Sequence, residues 1–166
     1  MWRRGVLSCA LLIGIVGRAG AQTPVLLGYM DSDIRLAVRR AVEGAAARLA
    51  RPGCQKLFAD FTDADGQRLS TTLAASGKSP TEAFSVLRFF DDGAAPQCGA
   101  GTTLAFTQRG SRLIRVCGPQ FRERFQQNRT TTEIVVIHEF LHSLGLGENP
   151  PSSQAITEQV VVRCGG

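Results

Sequence analysis

The segment Ile134-Val135-Val136-Ile137-His138-Glu139-Phe140-Leu141-His142-Ser143-Leu144 constrains this chain more than any other. Apolar residues recur on nearly every side of it at helical spacing. It therefore reads as a helix enclosed by the rest of the fold, not one lying on a surface. Thr130-Thr131-Thr132-Glu133 ahead of it has the Thr-x-x-Glu form of a capping box, and Gly145 stops it. Two imidazoles and a carboxylate inside such a helix are costly unless something satisfies them. His138 and His142 stand one turn apart on one face, so both rings can reach a single metal ion. Glu139 is turned about 100° from His138 and flanks the metal without ligating it. From there a carboxylate can take a proton from a metal-activated water.

These are the only two histidines in the chain. With His at roughly 2% and Glu at roughly 6% of residues, a chance His-Glu-x-x-His falls well under about once in a hundred chains of this length. The pattern is read as a Zn²⁺ site.

The N-terminus sets the compartment. Trp2-Arg3-Arg4 is a basic head, Val6 to Val16 is an apolar run too short to span a bilayer, and Ala19-Gly20-Ala21 offers small residues for cleavage. Residues 1–21 are read as a secretory signal peptide cut before Gln22, and residues 22–166 as one domain large enough to own a core. The protein is expected to be secreted or periplasmic, with no membrane span, and monomeric. Losing Arg3, Arg4 and Arg18 leaves the 19 basic residues at 16 against 14 acidic ones. No basic run survives, which argues against a nucleic-acid partner.

Cys54, Cys98, Cys117 and Cys164 then form an even set in an exported protein, and two disulfides are expected. Three pairings are open; Cys98 with Cys117, across a hairpin, and Cys54 with Cys164 are favoured. A four-cysteine zinc site lacks the close Cys-x-x-Cys pairs it needs.

Elsewhere, Ile34 to Ala50 carries a helical apolar stripe, and Lys56 to Thr62 alternates like a strand. Asp63-Ala64-Asp65-Gly66 fails as a calcium loop, because Phe61 and Thr72 fall where carboxylates are required. A short helix is expected over Leu69 to Ala75 and a strand over Ala83 to Phe90. Thr102 to Thr107 and Arg112 to Cys117 read as strands around Arg109-Gly110. Pro119 to Gln127 reads as helical. Ser152 or Ser153 starts a last helix with Ile156, Val160 and Cys164 inward.

His138-Glu139-x-x-His142-x-x-Gly145-x-x-Glu148 resembles the extended motif of metzincin-type zinc peptidases. In that family the third ligand lies ten residues after the first and is usually His, with Asp in a minority. A glycine in the place of Gly145 lets the chain turn back to the metal. The likeness is close over about eleven residues. It departs in placing Glu148 at the third-ligand position and in having no later methionine for a Met-turn. Only 18 residues follow Glu148, so the family's lower subdomain is expected to be vestigial.

The third ligand can also be approached without the family. No histidine remains and the cysteines are expected in disulfides, so a carboxylate is required. Glu148 is favoured. Glu158, as in thermolysin-like zincins, is the rival, although it turns away from its helix's inward stripe. Asp91 or Asp92 stands behind both. Tyr29, the only tyrosine, has no reason to lie at the metal as an oxyanion donor.

The resemblance implies an α+β zincin-like domain, with a small mixed sheet and a buried active-site helix. It implies an exported metallopeptidase that hydrolyses peptide bonds of a peptide or protein substrate through a zinc-activated water. His138, His142 and Glu148 would hold Zn²⁺ and Glu139 would be the base. The alternatives are a secreted zinc-binding or interaction module with a lapsed site, and a zinc amidase acting on cell-wall peptides.

Overall fold

A helix apolar on every side needs neighbours on every side, and in the computed structural model it has them. The structure describes residues 24–165; the signal peptide assigned to residues 1–21 lies outside them. The central helix, α7, runs Arg129–Ser143. Against it pack α1 (Ser32–Leu49), α6 (Gly118–Gln127), α8 (Ser153–Cys164) and the strand β3 (Ala105–Thr107). Val136, Ile137, Phe140 and Leu141 are fully enclosed. Phe140 takes the rings of Phe58 and Phe84 edge-on, at 5.8 and 5.4 Å.

The fold is α+β with a small mixed sheet. Its strands are β1 (Val25–Leu27), β2 (Arg88–Asp91), β3 and β4 (Leu113–Val116), in the order β1-β2-β4-β3. The first three in that order are parallel, and β3 pairs antiparallel with β4 at the edge. The Arg109-Gly110 turn joins β3 to β4 as expected, with Gly110 at φ +75°.

α1 buries Ile34, Val38, Ala41, Val42, Ala45 and Leu49, the stripe that its spacing predicts, together with Ala37. It approaches α7 so closely that a Cβ on Gly44 would collide with the Glu133 carboxylate. The expected helix over Leu69–Ala75 is present as α4.

Three local expectations are overturned. Lys56 to Thr62 is not a strand: α3 (Leu57–Asp60), one residue after α2 (Pro52–Gln55), takes up most of it. Leu57 and Phe58 are buried as neighbours, with Phe61 packed against the same core. That is one face of a helical turn, and a strand would send the first two to opposite sides. Ala83 to Phe90 begins as helix, because Ser79 and Glu82 form a capping box and Pro80 sits at the first helical position of α5 (Pro80–Ser85). The strand starts only at Arg88. Thr130 is not the cap of α7. Asn128 takes that role, its Oδ1 accepting from the Thr131 amide at 3.2 Å, and Glu133 is engaged elsewhere.

Both favoured cysteine pairs are disulfides: Cys54–Cys164 ties α2 to the end of α8, and Cys98–Cys117 ties a short turn to the end of β4. Among the described residues no helix is long and apolar enough to cross a membrane.

Candidate metal centre

Helical spacing brings His138 and His142 onto one face of α7, with only 5% and 6% of each residue exposed. Their Nε2 atoms lie 2.9 Å apart. Gly145, at φ +108°, ends the helix in a left-handed turn. The turn is a Schellman closure: the Gly145 amide donates to the His142 carbonyl and the Leu146 amide to the Leu141 carbonyl. It sends the chain back over the histidines and sets Glu148 Oε1 at 3.3 Å from His142 Nε2 and 3.6 Å from His138 Nε2. Two imidazole nitrogens and a carboxylate oxygen thus converge on one point, and this group can hold a metal ion.

The other ring nitrogens are also engaged. His142 Nδ1 is 2.9 Å from the Leu146 carbonyl oxygen, which the Schellman turn delivers. His138 Nδ1 is 2.9 Å from Thr157 Oγ1 on α8. Burial, and then the nearness of His142, push the His138 imidazole down to about 4, against the opposing pull of Glu148. His138 is therefore neutral at pH 7, the state in which an imidazole can ligate.

Glu139 occupies the flank that its 100° offset predicts. It is 6% exposed, and burial drives its carboxyl up to about 8; the nearby Thr107 side chain opposes the rise and the charge of Glu148 adds to it. Neither Glu139 Oε2 nor Thr107 Oγ1 has a hydrogen-bond partner of ordinary length. A buried carboxylate oxygen without a partner costs on the order of 1–3 kcal/mol or more.

These side chains open onto a hollow of about 660 Å³. Edge strand β3 forms one wall through Ala105, Phe106 and Thr107, Arg109 stands on the hairpin beyond it, and Leu146 to Glu148 form the other wall. The Gly110 amide donates to the His142 carbonyl at 2.9 Å, pinning hairpin to helix end.

The remaining candidates lie apart. Glu158 is exposed and accepts from Gln154 on its own helix. Asp91 accepts from the amides of Gly93 and Gly118, and Asp92 pairs with Arg115 at 3.1 Å. Tyr29 is 86% exposed beside a different hollow at the start of α1. Sequence reasoning passed over Thr157 and Thr107. A polar residue beside the inward stripe of α8 was the only local sign of the first. Nothing local marked the second.

Comparison of the chain with protein-family models, with curated proteins and with solved structures finds no match.

Proposed function

We propose that this chain is a zinc-dependent peptidase with a zincin-like fold. His138, His142 and Glu148 would be the metal ligands and Glu139 the general base. The observation that carries this reading is the buried, unpartnered Oε2 of Glu139 beside a cluster of three donors. A structural zinc site is closed by four protein ligands, whereas a hydrolytic one keeps a position open and a base nearby.

The donor set suits zinc. Tetrahedral bonds of ~2.0–2.1 Å place neighbouring ligand atoms about 3.3 Å apart. The three edges here are 2.9, 3.3 and 3.6 Å. Two imidazoles with one carboxylate are also a ligand combination typical of hydrolytic zinc sites. Zinc at this point would supply Lewis acidity and a more acidic water.

The protein's own groups account for the rest. Glu139 Oε2 is free to accept a proton from water entering the hollow, and to return it to a leaving amine. With burial holding its carboxyl up to about 8, Glu139 would accept that proton in the ionised form that a neighbouring cation favours. A peptide is the favoured substrate because β3 is an edge strand along the hollow, and an extended chain can add to such an edge.

The decisive experiment measures zinc content and turnover of a broad peptide library, with Glu139→Gln as control. One zinc per chain with turnover lost in the variant is expected. Stoichiometric zinc without turnover in the parent would favour a zinc-binding module, and a parent that binds no zinc would end the proposal.

A further inference from the structure

We infer that Thr157 is a positioning residue for the metal: its hydroxyl holds His138 in the ring orientation that ligation requires. This rests on the zinc reading above.

The argument begins from what each ring nitrogen faces. His142 Nδ1 faces the Leu146 carbonyl at 2.9 Å. A carbonyl only accepts, so His142 carries its proton on Nδ1 and leaves the Nε2 lone pair available. His138 Nδ1 faces a hydroxyl at 2.9 Å. A hydroxyl gives or takes, so this contact permits either tautomer. A metal at Nε2 selects one of them, in which Nδ1–H donates and Thr157 Oγ1 accepts. Partners of this kind fix ring orientation and raise ligand basicity, and losing one typically costs about 10–100-fold in metal affinity.

Position matters as much as chemistry. Thr157 comes from α8, 19 residues beyond His138, so the contact holds only while α8 stays in place. Three polar or covalent ties keep it there. Cys164 is bridged to Cys54, and the Arg48 guanidinium donates to the Cys164 carbonyl at 2.7 Å. Asp60 accepts from Gln159 and Arg163, both at 2.7 Å. Ile156 and Val160 lock the same helix into the core. The hydroxyl is thus carried on a fixed support, the condition for aiming a ligand to within a few tenths of an ångström.

The test is zinc competition between a chromogenic chelator and the disulfide-intact protein, for the parent, Thr157→Val, Thr157→Ala and Thr157→Ser. Melting temperatures of the chelator-treated proteins report whether each variant folds. We expect Thr157→Val and Thr157→Ala to bind zinc about 10–100-fold more weakly, and Thr157→Ser to restore most of the loss. Should Val disturb packing and fail to fold, Ala carries the comparison. Parent-like affinity in a folded Val or Ala variant would overturn the role of Thr157 and leave the zinc reading standing. A serine variant as weak as alanine would also overturn it, since the hydroxyl would then be irrelevant. A parent that binds no zinc would end both.

Discussion

Arg48 on α1 and Glu133 on α7 face each other with Nε 2.7 Å from Oε2, both side chains largely buried. The same guanidinium donates to the carbonyls of Cys164 and Gly165, at 2.7 and 3.1 Å. One side chain thus joins the first helix, the metal-bearing helix and the end of α8. Removing one partner of a buried pair leaves an uncompensated charge and costs roughly 3–5 kcal/mol. Arg48→Ala is expected to lose stability on that scale, measured as a fall in the urea midpoint of the zinc-free protein. A loss under about 1 kcal/mol would mean the pair behaves as a surface one.

Glu148 and Glu158 should respond differently to removal. Glu148 reaches both imidazoles and Glu158 does not, so Glu148→Ala should weaken zinc binding by more than the ~10–100-fold typical of outer-shell changes. Glu158→Ala should bind as the parent does. Isothermal titration of both variants decides it, and the reverse pattern would replace the ligand assignment.

Glu139→Gln removes the base and no ligand. It should keep zinc at one per chain while slowing peptide hydrolysis by about 10²–10⁴-fold. Single-turnover assays on the zinc-loaded variant are the check. A variant that hydrolyses at the parent rate would show that the proton goes elsewhere.

The two disulfides close loops of very different length, with sequence separations of 110 and 19. Loop-closure entropy assigns about 4–5 kcal/mol to the longer and about 3 kcal/mol to the shorter. Paired Cys54→Ala/Cys164→Ala should therefore destabilise more than Cys98→Ala/Cys117→Ala in chemical denaturation. It should also weaken zinc binding, because it frees the end of the helix that carries Thr157. Equal zinc affinity in the two double variants would break that link.

The Arg163 guanidinium holds the Asp60 carboxyl below its usual value, with Gln159 adding to the effect and partial burial opposing it. A lowered folded-state value contributes stability that is present above the unfolded carboxylate value, near pH ~4, and is lost as pH falls through the folded one. Asp60→Asn should be modestly less stable than the parent at neutral pH, and the gap should close below about pH 4. A gap independent of pH down to the acid limb would assign the effect to packing instead.

Several features could be read from the sequence because their causes are local. His138, Glu139 and His142 share one helical turn, and 3.6 residues per turn set their relation before any neighbour is known. The return of the chain at Gly145 is equally local, since glycine there accepts a φ closed to most residues. The stripe of α1 and the even cysteine count belong with these. Where two neighbours compete for one segment, the outcome belonged to the tertiary structure. Leu57 and Phe58 could have alternated along a strand, and only the core shared with Phe61 decided for a helical turn. Glu133 looked like half of a capping box until Arg48, 85 residues away, claimed its carboxylate. Thr157 meets His138 only because the far end of α8 is tied to Cys54, Arg48 and Asp60, an arrangement with no signature within either helix. The ligand geometry along α7 follows from backbone periodicity. The partners that orient those ligands and leave Glu139 Oε2 bare follow from how distant elements pack.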